Sequence, residues 1–215
     1  RKMFDETDRA SSKFKPGKKA KSLHGITVIL DAGHGGVDPG AMGKGNVKED
    51  EYAYDVMCRV KQILETETHA RVFTTIKDFE TDYTPRSSSL LSSGKNLEKI
   101  LTSPVYQIAD AGVALNLRWM LSNYIFSNKC NSKTRDENVV FTSFHADSLH
   151  RSASGLMVYI PGADYYRGNI RKKGKVYTRR KESKGQLSVS SSRSKRLKAE
   201  GYSKSLAEAI ENECK

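Results

Sequence analysis

At 215 residues, 37% of them hydrophobic, the chain suits one globular domain with a single core, and no run reaches the roughly 18–20 consecutive apolar residues of a membrane-spanning helix. The net charge of +12 invites a nucleic-acid partner, but there is no RNP, zinc-finger or helix-turn-helix signature to support one. The charge also sits in two polar segments: residues 167–200 hold 13 Lys/Arg against two acids and residues 1–22 hold eight against three, so the rest is slightly acidic.

Residues 1–22 are polar, Lys-rich and aperiodic, and read as a linker or tail ahead of a single domain over 23–215. The run Ile26–Asp31 is short, apolar and β-branched and ends in a Gly-rich turn, which predicts a buried strand. From Glu49 to Glu65 the apolar residues Tyr52, Ala53, Val56, Met57, Val60, Ile63 and Leu64 recur at helical spacing. A second strand is predicted over Ala70–Thr75. Strand, helix and strand in this order predict an α/β domain with a central, mostly parallel or mixed sheet flanked by helices.

Residues 79–112 carry no clear period and read as an insertion. Val113–Phe126 reads as a second helix, with Ala114, Leu117, Met120, Leu121 and Ile125 on one face. Strands are predicted over Val139–Phe144 and Gly155–Ile160, followed by a basic, Ser-rich insertion over 162–200. A last helix is predicted from near Tyr202 to the end. The chain opens with Arg1 rather than Met and reads as a piece of a longer precursor, so a missing export signal says nothing about location. Cys58, Cys130 and Cys214 are few and far apart, which supports neither a Cys-rich metal site nor a disulfide framework. Cys58 falls on the apolar side of the first helix and reads as a core thiol.

Two histidines stand at the carboxyl ends of predicted strands: His34 in the turn Asp31-Ala-Gly-His-Gly-Gly36, and His145 at the head of His145-Ala-Asp147. Open α/β sheets gather ligand sites along that edge, and Glu49 opens the helix whose N-terminus packs toward it. Each residue alone has a plainer reading. The Gly33–Gly36 turn could cradle an anion, Glu49 suits a helix macrodipole, and His145 could be a hydrogen-bonded core histidine. Together a His/Glu/His set matches a catalytic zinc site, which has three protein ligands and one open position.

The blocks Ile29–Ala41 with Gly43 and Lys48-Glu49, Val72–Asp78, Leu115–Asn123 with Arg118, Ser143–Asp147 and Ala153–Tyr159 follow one another as in a known family. The chain resembles the amidase_3 family of N-acetylmuramoyl-L-alanine amidases from Ile26 to about Lys215, broken by the two insertions. The resemblance implies one Zn²⁺ held by His34, Glu49 and His145, with Asp50 and Glu51 as rivals to Glu49. His150 is an additional histidine that the pattern does not require. Thr75 or Ile76 stands where the family usually has an Arg.

The implied reaction is hydrolysis of the amide between N-acetylmuramic acid and L-alanine in peptidoglycan, at a periplasmic or extracellular location. The resemblance also implies a catalytic Glu on a strand beyond Lys215. On that reading this chain lacks the general base, and Glu208, Glu211 and Glu213 are a solvated helix face. Two rivals stand beside it: a catalytically silent zinc-containing peptidoglycan-binding or regulatory domain, and a zinc carboxypeptidase. The basic segment 167–198 reads as a solvated loop or as an anchor for anionic envelope polymers. A self-inhibitory plug would rely on Glu182 to reach the metal.

Overall fold

The computed structural model describes residues 22–43, 46–86, 97–130, 135–146, 155–165, 174–184 and 191–214. The first strand, β1 (Thr27–Ala32), is buried at every position. Its continuous apolar run suits a central strand covered on both faces. It pairs in parallel with β2 (Arg71–Thr74) on one side and β6 (Val139–Phe144) on the other, giving the order β2-β1-β6. The register sets Ala32 opposite Phe144, so the turn after β1 and the segment after β6 leave the sheet at one edge.

Helix α1 (Glu49–Glu67) crosses from β1 to β2 and buries Ala53, Tyr54, Met57 and Cys58. Its capping position, Lys48, offers no side-chain bond. The loop ahead of it supplies the missing acceptors: the Glu49 and Asp50 amides donate to the carbonyls of Ala41 (2.9 Å) and Pro39 (3.2 Å). Two of the four orphan donors of a helix start are thereby satisfied, and the loop is fixed to the helix. Glu49, Asp50 and Glu51 place acid in the first turn, where the macrodipole favours it.

Helix α2 (Ala111–Lys129) begins at Asp110, whose side chain accepts from the Val113 amide at 2.7 Å. Ala114, Leu117, Met120, Leu121 and Ile125 pack into the same core as β1 and α1. These five are the predicted apolar face. Cys58 is fully buried in that core, and burial pushes its thiol up to about 12.

The structure departs from the sequence expectations in four places. The chain leaves the parallel sheet after Thr74, and β3 (Ile76–Asp78) joins a small antiparallel sheet with β4 (Glu98–Ile100) and β5 (Tyr106–Gln107). The predicted insertion is therefore an integral layer, with Ile100, Tyr106 and Ile108 in the core.

Gly155–Ile160 is not a strand. Leu156, Met157 and Tyr159 are exposed, because no described residue pairs with this segment.

The basic insertion is partly built in. Helix α3 (Lys175–Thr178) and a 3-10 turn over Lys181–Ser183 bury Tyr177, Arg180, Glu182 and Ser183. Arg180 lies over the Tyr106 ring and donates to Thr102 Oγ1 at 3.1 Å.

Helix α4 (Arg193–Glu213) starts nine residues before Tyr202, capped by Ser192, whose hydroxyl accepts from the Lys195 amide at 3.3 Å. Its residues Glu208, Glu211 and Glu213 are exposed, as expected. No described helix is long and apolar enough to cross a membrane.

Candidate metal centre

The turn after β1 sets the geometry. His34 has φ of +62°, a left-handed backbone that a non-glycine residue adopts only when its surroundings hold it there. The Gly33 amide donates to the Phe144 carbonyl at 2.8 Å and the Gly35 amide to the Asp38 carbonyl at 2.8 Å. His34 Nδ1 lies 3.0 Å from Asp38 Oδ2, which turns Nε2 toward the sheet edge. An orienting carboxylate behind an imidazole is the usual support for a metal-binding histidine.

Glu49 enters from the first turn of α1 and His145 from the end of β6. Glu49 Oε1 lies 3.3 Å from His34 Nε2 and 3.0 Å from His145 Nδ1. The two imidazoles meet edge to face with centroids 5.0 Å apart. One ligand atom from each of the three residues falls within 4.8 Å of the others, so the group could hold a metal ion. Two imidazole nitrogens and one carboxylate, with a half-exposed His145 on the open side, match the donor set of an open zinc site.

The carboxylate is prepared for that role. Burial alone would push Glu49 up. Hydrogen bonds from the Ala41 and Ala146 amides (2.8 and 3.0 Å), the contact with His145 and the nearby His34 outweigh it, and the carboxyl sits below its ordinary value. It is therefore ionised at neutral pH, as a ligand must be.

Two glycines leave the room these side chains occupy. A Cβ at Gly33 would lie 2.6 Å from His145 Nε2 and 2.7 Å from Nδ1. At Gly40, where φ is +66°, it would lie 2.7 Å from both Glu49 Oε2 and His34 Cδ2.

The rival ligands do not join the group. Asp50 is buried away from it, with Oδ1 accepting from the Glu51 amide at 2.9 Å; burial, with the Glu98 charge next, pushes its carboxyl up to about 7. Glu51 is also buried and lies outside the three-residue group. His150 falls outside the described residues. Glu182 does not reach the metal centre: its Oε2 accepts from the Ser103 amide at 2.7 Å, anchoring α3 and the turn after it to the insertion ahead of α2. That bond commits elsewhere the one acid of residues 167–199 on which the plug reading relies.

Sequence reasoning gave no role to Asp38 or Asp31. The signal for Asp38 was its place four residues after His34, and nothing local marked Asp31. Thr75, which with Ile76 is one of two positions where the resemblance expects an Arg, turns its hydroxyl onto Asp31.

A family model described as N-acetylmuramoyl-L-alanine amidase, Amidase_3, matches residues 28–215. A protein of Buchnera aphidicola subsp. Acyrthosiphon pisum, assigned by name to N-acetylmuramoyl-L-alanine amidase, is 25% identical over 134 residues, 59% of this chain and 53% of that protein. The N-acetylmuramoyl-L-alanine amidase AmiC of Escherichia coli O6:H1 is 35% identical over 66 residues, 31% of this chain and 16% of that protein. The chain thus spans about half the length of the first relative and a smaller share of the second. No solved structure matches significantly. With the family model covering nearly all of the domain and the His/Glu/His group standing at the edge of its parallel sheet, the chain belongs to the Amidase_3 family.

Proposed function

We propose that His34, Glu49 and His145 hold one Zn²⁺ and that the protein hydrolyses the amide joining N-acetylmuramic acid to L-alanine in peptidoglycan. The observation that carries this reading is the convergence of the three side chains at one sheet edge within a family-matched domain. When bound, zinc supplies Lewis-acid activation of water and of the scissile carbonyl. The chain's own part is to orient and to stay ionised. Asp38 fixes the His34 ring, and the Ala41 and Ala146 amides hold Glu49 as a carboxylate. The half-exposed His145 borders the side from which substrate arrives.

The family resemblance implies a glutamate as proton carrier, and on that reading a longer chain supplies it. A general base contributes typically 10²–10⁴-fold in rate. Residues 1–215 alone should therefore release stem peptide at least about a hundredfold more slowly than a longer chain supplying that glutamate. Equal rates would place the base within these residues.

The silent-domain reading has one observation in its favour: among the described residues the metal group has three members and no further carboxylate. The same assay decides it, because a silent domain stays inactive in the longer chain. Product analysis would separate the carboxypeptidase reading, since a carboxypeptidase frees D-alanine whereas the amidase frees the amine of L-alanine.

Such a substrate places the protein at the cell envelope. The exposed Lys175, Arg179 and Lys184, within the basic segment 167–198, are read as a surface for anionic envelope polymers.

A further inference from the structure

We propose that Arg118 is a positioning residue for the metal centre, holding the strained backbone that aims His34; this rests on the zinc reading above. Arg118 stands on α2, one helix away from the proposed ligands, and its side chain is 7% exposed. Its guanidinium spreads over three acceptors of the β1 end and the turn after it. Nη1 donates to Asp31 Oδ1 at 2.7 Å and to the Ala32 carbonyl, and Nη2 donates to the His34 carbonyl.

The carbonyls on either side of Gly33 are thus drawn toward α2, while the Gly33 amide between them is tied to Phe144 on β6. With the 32–33 and 34–35 peptides both pinned, His34 is kept at its positive φ. A non-glycine residue in this backbone region is strained, so the turn needs a restraint, and the Arg118 fork is placed to supply it. A lysine cannot replace the fork, since a single ammonium on a flexible stem does not reproduce planar, fixed donors.

Asp31 makes the arrangement rigid. Its side chain is 5% exposed and receives three elements at once. Oδ1 accepts from Arg118 and from Thr75 Oγ1, and Oδ2 accepts from Ser143 Oγ at 2.7 Å. Ser143 precedes His145 by two residues on β6. The same carboxylate therefore anchors the guanidinium behind His34 and the strand that delivers His145. A buried ion pair of this kind adds little net stability compared with apolar packing, which is why its geometric role is the informative one.

The test compares the wild-type chain with Arg118→Lys and Arg118→Met. Zinc affinity is measured by chelator competition, coordination by the visible spectrum of the Co²⁺-loaded protein, and turn rigidity by hydrogen exchange at the Gly33 and Gly35 amides of the metal-free protein. Outer partners of metal ligands are typically worth 10–100-fold in affinity. Both variants should lose zinc affinity by about that factor, shift the Co²⁺ spectrum and exchange faster at the two amides.

Folded variants with wild-type affinity, spectrum and exchange would overturn the proposal, even if their thermal stability were lower. Arg118→Lys keeps the buried positive charge beside Asp31 and carries the test if Arg118→Met does not fold. A wild-type chain that takes up no zinc sinks the zinc reading instead. The exchange rates then decide the Arg118 claim alone: faster in Arg118→Lys supports it, unchanged overturns it.

Discussion

Replacing Gly33 by alanine adds one methyl group, and the structure states what that methyl meets. Gly33 is outside the positive-φ region, so its φ does not call for glycine. The penalty the structure shows is steric. The new Cβ would stand 2.6 Å from His145 Nε2 and 2.7 Å from Nδ1, against an ordinary non-bonded separation of about 3.5–4.0 Å. The imidazole must therefore recede by about 1 Å. Metal–ligand distances tolerate only about ±0.2 Å, so a ring displaced that far leaves the coordination sphere. Disturbing an outer partner weakens metal binding by about 10–100-fold. Expelling a direct ligand should reach at least the upper end, about 100-fold or about 2.7 kcal/mol. Chelator competition measures the loss directly, and circular dichroism of the metal-free protein checks that the fold survives. A folded Gly33→Ala chain binding zinc within a few-fold of wild type would refute the reasoning, because His145 would then not be held where the structure puts it.

Arg86→Met should destabilise the chain by about 3–5 kcal/mol in denaturant unfolding, since it strips the guanidinium 2.6 Å from buried Asp78 and 3.3 Å from buried Glu98; unchanged stability would contradict that reading. Gly201→Ala, inside α4 where a Cβ meets nothing within 4 Å, should raise stability by about 0.8–1 kcal/mol, and a fall in the thermal midpoint would count against the helix at this position. At pH 8 a thiol reagent should label exposed Cys214 and spare Cys58, whose thiol is buried and pushed up to about 12; fast modification of Cys58 in the folded chain would show that the α1 core is not closed. Charge reversal of Lys175, Arg179 and Lys184 to Glu should weaken sedimentation with purified cell walls at low salt and leave zinc content unchanged. Deleting 167–198 would not be an equivalent test, because it would uncover the core that Tyr177 closes.

The proposed ligands were legible because each carries a local sign. Two histidines end apolar runs, and an acid opens a periodic helix. The β1 run and the stripe from Ala114 to Ile125 were legible for the same reason, since burial on a regular element leaves a period. Elements without a period were missed. Strands β4 and β5 have three and two residues, too few to alternate. The start of α4 was missed because Arg193–Glu200 is almost entirely polar, although its residues favour helix.

The packing of α3 and the turn after it was hidden by composition. A run of Lys and Arg reads as solvated, yet Tyr177 Oη accepts from Asn116 and Glu182 from Ser103, partners 61 and 79 residues away. The Arg118 fork was illegible for a similar reason: it reaches His34 across 84 residues, and no local pattern announces such a contact. Gly155–Ile160 shows the opposite failure. Its apolar run resembles a strand, but a strand exists only through a partner's hydrogen bonds, and none of the described residues provides them.

Metal content tests the central claim most directly. Elemental analysis of the purified chain should find one zinc per molecule, and His34→Ala should lose most of it, because a carboxylate and one imidazole hold the ion poorly. Full zinc occupancy in a folded His34→Ala chain would contradict the assignment of His34, Glu49 and His145 as the metal centre.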